Sequence, residues 1–138
     1  MTNFIGHGSP TQWSRSGILN AADIDGLFND TTPSLISTLT CYTSYFVSPL
    51  TNTLSHRLLN GSDDKINGSI AVHGASTLSS YAGNEFFAQE VLSQQLNGKT
   101  LGESVLEARR QANNNGNVNQ VKNWILLGDP TVIINRDD

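Results

Sequence analysis

Apolar positions gather in four short blocks, at residues 3–5, 34–41 ("SLISTLTC"), 68–73 ("GSIAVH") and 123–127 ("NWILL"), with "TVIIN" offering a fifth. Each is too short for a helix and rich in residues that suit a pleated surface, so each predicts a strand. Between the second and third blocks, "SPLTNTLSHRLLNG" predicts a short helix: Ser48 can cap it, Pro49 suits its first turn, and Gly61 can close it. After the third block, "NEFFAQEVLSQQL" sets Phe86, Phe87, Val91, Leu92 and Leu96 on one helical stripe. Thr100 and Glu103 then have the spacing of a capping box, which predicts a second helix behind them.

Strand, helix, strand, two helices, strand is the order of an α/β domain with a mainly parallel sheet, because parallel neighbours need crossover connections. The blocks are nearly continuously apolar, as strands covered on both faces are. The tract "RRQANNNGNVNQ" has little to bury and predicts a surface loop. No segment repeats, and 138 residues suit one domain with a core of its own.

Charge narrows the choice of partner. The formal net charge is −4 and the eight Lys and Arg are scattered, so no basic stripe exists to neutralise a phosphate backbone, and nucleic acid is excluded as a partner. No apolar run approaches the ~20 residues that span a bilayer, and no signal peptide opens the chain. Cys41 is the only cysteine, which rules out an internal disulfide and a Cys-rich zinc site.

In open parallel sheets, ligands bind beyond the carboxyl ends of the strands. The first block runs into Gly6-His7-Gly8, the second into Thr40-Cys41-Tyr42, and the third into His73-Gly74-Ala75-Ser76. If the first two strands are neighbours, His7 and Cys41 share one crevice as a base and a nucleophile. A neighbouring imidazole favours the reactive thiolate and can later protonate a leaving amine. Gly8 lets the backbone come close, so its N–H and that of Cys41 are the natural donors to an oxyanion. A cysteine ending an apolar run can equally be buried filler.

The segments "NFIGHGSPTQW", "LTCYTSYF", "GSIAVHGASTLSSYAGNEFF" and "WILLGDPTV" resemble, in order and spacing, the gingipain-type cysteine peptidases of peptidase family C25, in the caspase-like clan. The resemblance implies a three-layer caspase-like α/β fold with a mainly parallel sheet. It implies a cysteine endopeptidase with His7 as catalytic histidine, Cys41 as nucleophile, and Gly8 and Cys41 as the oxyanion hole. Ser79, Ser80 and Tyr81 match the segment that lines the S1 pocket, where relatives usually carry Trp in place of Tyr81. Gly128-Asp129-Pro130 matches the end of the domain and is read as a structural turn. The substrate would be a peptide or protein, no cofactor is required, and the location would be extracellular or at the cell surface.

In that family, further strands and a helix precede the His-Gly strand and bring an acidic group that orients the histidine. The resemblance therefore implies that residues 1–138 are the C-terminal part of one caspase-like peptidase domain, with the N-terminal part as partner. A catalytically silent caspase-like module for assembly or peptide binding is the alternative reading. His73 rivals His7, but the family order places the histidine before the cysteine. His56 reads as a solvated helix residue. None of Ser9, Ser76, Ser79 and Ser80 sits in a G-x-S-x-G elbow. The oxygens of "NGSDDKINGS" could serve a structural calcium ion, without EF-hand spacing. No Asp or Glu can be assigned to S1, where enzymes that cut after Arg or Lys need a carboxylate.

Overall fold

The structure is a computed structural model that describes residues 1–29, 31–62, 67–116 and 118–134. Its elements are β1 (Thr2–Ile5), the short strands β2 (Gly8–Ser9), β3 (Gln12–Trp13) and β4 (Leu19–Asn20), a 3-10 helix (Ala21–Gly26), β5 (Ser34–Leu39) and α1 (Leu54–Asn60). Then come β6 (Ser69–Ala75), α2 (Tyr81–Leu96), α3 (Leu101–Asn114), α4 (Val118–Asn123) and β7 (Trp124–Gly128). The four apolar blocks form one sheet in the order β1-β5-β6-β7, and β2-β3-β4 form a small separate one. The pairs β1–β5 and β5–β6 are parallel, whereas β7 runs antiparallel to β6.

That reversal follows from the helices. α2 and α3 form a hairpin across one face, so the chain returns to the end of β6 where it left, and the Asn123 carbonyl accepts the Ser76 N–H at 2.7 Å. The next strand can only run back. The segment "TVIIN" adds no strand over its described residues 131–134.

Both faces of the sheet are covered. On one, Leu35, Leu39, Ala71, Ala75 and Trp124 pack under Phe87 and Val91 of α2 and Leu101, Val105, Ala108 and Ala112 of α3. Phe87 and Trp124 stack with ring centroids 5.6 Å apart. On the other, Ile36 and Val72 meet Leu54 and Leu58 of α1, Ile24 of the 3-10 helix and Trp13. Phe4 of β1 stacks on that Trp13 at 4.6 Å. Full burial of each such side chain is worth about 1.5–3 kcal/mol, so these two layers fix the sheet. The result is three layers, helix on sheet on helix.

Helix ends follow local chemistry. Ser80 caps α2 by accepting the Gly83 N–H at 3.2 Å, and Thr100 with Glu103 makes the expected capping box on α3. α1 starts later than Ser48 and Pro49 suggest. Thr53 is the cap, accepting the His56 N–H at 3.3 Å, while Leu54 N–H donates to the Pro10 carbonyl at 2.6 Å. These bonds to the body of the protein outweigh the preference of Pro49 for a first turn. Gly61 ends α1 with a φ of 66°, a region that suits glycine, and a Cβ there would lie 2.5 Å from the Asn67 carbonyl.

The polar tract of residues 109–120 is mostly helical: α3 continues to Asn114 and α4 begins at Val118. Ala108 and Ala112 are small enough to be buried against the sheet, and Arg109 donates to the Trp124 carbonyl. On α2, the buried positions after Phe87 and Val91 continue to Gln95, while Leu96 is exposed. No helix among the described residues is long and apolar enough to cross a membrane.

Candidate active site

β1 and β5 pair up to Ile5 and Leu39, and the Gly6 N–H donates to the Leu39 carbonyl at 3.4 Å. Two further steps along both strands reach His7 and Cys41. There the chain leaves β1, and Gly8 settles against Thr40. A Cβ on Gly8 would lie 2.5 Å from Thr40 Oγ1 and 3.1 Å from Thr43 Cγ2, so only glycine permits this approach. The residue after the histidine therefore touches the residue before the cysteine. The turn is closed by the Ser14 N–H, which donates to the His7 carbonyl at 2.7 Å. The His7 side chain is exposed and, among the described residues, makes no hydrogen bond.

Cys41 stands on a sharp turn. Tyr42 has a φ of 61°, a left-handed conformation uncommon outside glycine, and the surroundings hold it there. Its N–H donates to the Thr77 carbonyl at 3.1 Å, that of Ser44 to Ala75 at 3.1 Å, and that of Ser55 to Thr43 at 3.1 Å. Beneath lies a buried cluster of hydroxyls. Thr43 bonds to Thr38 and, at 3.1 Å, to Thr40, while Ser44 bonds to Ser55 at 2.7 Å. Asn84 of α2 donates to the Leu39 carbonyl at 3.0 Å and ties the helix to the end of β5.

The half-buried sulfur of Cys41 faces the loop before α2. Ser79 presents its N–H at 3.4 Å, its carbonyl at 3.6 Å and its hydroxyl at 3.7 Å to Sγ. Ser80 caps α2, and Tyr81 begins it with 71% of its surface exposed. Of the three S1 residues expected from the sequence, Ser79 adjoins the sulfur, and Tyr81 stands on the surface two residues on.

His73 lies elsewhere. β6 runs two residues past it, and the ring is enclosed between Phe87 and Trp124, with centroids 5.9 and 4.8 Å away. Burial, with a smaller contribution from the Arg109 charge, lowers its pKa to about 3. A neutral ring sealed in the core has no access to substrate. His56 is exposed on α1, its Nε2 2.7 Å from the Asn60 amide. Asp129 accepts from the Thr131 N–H at 2.8 Å and the Thr131 hydroxyl at 2.6 Å, a turn held by its own aspartate. The stretch considered for calcium has its centre, residues 63–66, outside the described residues.

Sequence reasoning did not single out Thr38, Thr40, Thr43 or Asn84. The alternating hydroxyls in "STLTCYTS" were the available signal, since polar residues inside a buried strand must find partners.

The family model described as peptidase family C25 matches residues 1–135. No curated protein matches the chain. Among solved structures, the complex of Porphyromonas gingivalis RgpB pro- and mature domains is similar with a TM-score of 0.82 and 20% identity, over 96% of this chain and 33% of that one. The crystal structure of the Arg specific cysteine proteinase gingipain R (RgpB) gives 0.78 and 18%, over 96% of this chain and 32% of that one. A structure titled only as a protease gives 0.80 and 17%, over 95% and 34%. At these identities the likeness is one of fold, and the chain spans about a third of each of those proteins.

Proposed function

Because the chain belongs to peptidase family C25, we propose that it carries the nucleophile and the base of a cysteine endopeptidase, Cys41 and His7. The contact of Gly8 with Thr40 is the observation that carries this reading, since it joins the two strand ends directly beside both residues. His7 takes the thiol proton, the Cys41 thiolate attacks the scissile carbonyl, and the N–H groups of Gly8 and Cys41 receive the oxyanion. His7 then protonates the leaving amine. Water, deprotonated by the same imidazole, hydrolyses the acyl-thioenzyme and frees the thiol.

Ser79, Ser80 and Tyr81 form the wall against which the P1 side chain lies. No cofactor enters these steps. The remainder of the peptidase domain, in the same chain or another, pairs along the open edge of β1 and supplies the group that orients His7. The site works on peptides or proteins outside the cell or at its surface.

A catalytically silent module is the second reading, favoured by the His7 ring having no hydrogen-bonded partner among the described residues. An irreversible thiol-directed peptidyl inhibitor separates the two in the intact protein. Covalent labelling of Cys41 that is lost in His7→Ala supports the peptidase, and an unlabelled Cys41 in folded protein supports the silent module.

A further inference from the structure

Among the described residues, the sulfur of Cys41 makes three hydrogen-bond contacts, and all are with Ser79, at 3.4 to 3.7 Å. A thiol is a weak donor and a weak acceptor, so these contacts are weak while it is protonated. A thiolate changes that, because hydrogen bonds to an ionised acceptor are about twice as strong as neutral ones. The Ser79 N–H at 3.4 Å is already aimed at the sulfur. Its hydroxyl at 3.7 Å needs only a rotation to donate. The carbonyl at 3.6 Å accepts the S–H and suits the protonated form alone.

Two features hold this residue in place. Ser80, next in the chain, caps the sixteen-residue helix α2, whose N-terminal end favours negative charge. Before it, the Leu78 carbonyl accepts from the Asn123 side chain at 3.0 Å and the Thr77 carbonyl accepts the Tyr42 N–H at 3.1 Å. The loop that presents Ser79 is thus bonded to the turn that presents Cys41.

We propose that Ser79 is a positioning residue for the nucleophile: its backbone N–H and hydroxyl hold the Cys41 thiolate, and its carbonyl holds the resting thiol. One residue thereby follows the sulfur through both of its protonation states. The inference rests on Cys41 being the nucleophile, and adds to a P1 wall the task of maintaining the reactive anion.

The test is the rate of iodoacetamide alkylation across pH in the intact protein, read by mass spectrometry on the peptide containing Cys41. Ser79→Pro removes both the N–H and the hydroxyl, and Ser79→Ala removes only the hydroxyl. Relative to the unaltered protein, Ser79→Pro should slow alkylation by at least about tenfold at neutral pH, the order expected when charge-assisted bonds are lost. Ser79→Ala should lie between, and all three rates should converge in alkali, where every thiol is ionised. Superimposable profiles would overturn the proposal. So would a Ser79→Pro rate lowered by the same factor at every pH, which means restricted access.

Amide NMR gives the same answer without altering Ser79. Its proton resonance should move as Cys41 ionises and stay still in Cys41→Ala; a resonance that ignores the thiol in the unaltered protein refutes the contact. The two readings fail separately. A convergent alkylation profile in a protein that never cleaves peptides would remove the peptidase and leave Ser79 in place. Peptide cleavage that depends on Cys41, together with superimposable profiles, would do the reverse.

Discussion

Two His-Gly pairs follow apolar runs in this chain, and the fold treats them in opposite ways. His7-Gly8 lies beyond the last paired residues of β1, with its imidazole exposed. His73-Gly74 lies inside β6, in register with Ser37 and Thr38, with helices over its face and a ring sealed between Phe87 and Trp124. Yet both glycines press on the same hydroxyl cluster. A Cβ on Gly8 would meet Thr40 and Thr43, and one on Gly74 would lie 2.6 Å from both Ser44 Oγ and Thr38 Oγ1. The dipeptide therefore marks close approach to the Cys41 turn from two sides. Where its strand stops pairing decides which histidine reaches solvent.

The sharpest way to break this comparison is to exchange the losses. His7→Ala should lower peptidase kcat/KM of the intact protein by about 10²–10⁴-fold, the range for a lost general base. His73→Ala should keep most of the activity and cost about 2–4 kcal/mol in denaturant unfolding, as truncated buried side chains do. Loss of activity from His73→Ala in folded protein, with His7→Ala tolerated, would reverse the assignment.

Acid should single out the buried histidine next. His73 titrates near its ordinary value of 6.5 when unfolded and about 3 when folded, so between those limits the unfolded state binds the extra proton. Its contribution is complete above about pH 6.5 and declines as pH falls, at up to ~1.4 kcal/mol per pH unit, until it levels off near pH 3. Chemical denaturation at stepped pH should show that slope in the natural sequence and a flatter one in His73→Phe. Equal slopes would mean that the ring is solvated.

The two glycines sharpen the contrast at a smaller scale. Gly74→Ala crowds a sheet interior and should cost about 1–3 kcal/mol in stability. Gly8→Ala can relieve its clash by moving the exposed turn, so it should cost less stability and more activity, through displacement of His7 from Cys41. Paired melting and rate measurements on both variants decide this, and a larger stability loss at Gly8 would contradict it. Smallest of all, Tyr81→Ala should leave stability within about 0.5 kcal/mol, as expected of an exposed position, while reordering P1 preferences in a peptide library. An unchanged order would remove Tyr81 from the pocket.

Much of the fold was legible because its signals are local. The pair Thr100 and Glu103 announces its helix through hydrogen bonds that span three residues. What the sequence concealed depends on distant partners. Thr53 caps α1 in place of Ser48 because Leu54 and Ser55 are held by Pro10 and Thr43. Ala112 stands in a tract that reads as a surface loop until the sheet beneath shows that it is buried. The direction of β7 is set by two helices folding back on each other, which no window of residues contains. At the site, Cys41 and His7 stood out by chemistry. Thr43 and Asn84, which brace the turn between them, are ordinary polar residues until their partners are known.

Among the described residues β1 pairs with β5 alone, and three of its four residues are exposed. The proposed base and nucleophile thus stand on ground of unequal firmness. Cys41 is anchored to the most protected part of the sheet, while His7 hangs from a strand that can fray at little cost in free energy. In residues 1–138 alone, amide protons of β1 should exchange with solvent well before those of β5 and β6, and pairing of the remainder of the domain along that edge should close the gap. Whatever lies along that free edge then sets how much of the time the imidazole is in place, and so governs turnover from a distance, without touching the sulfur.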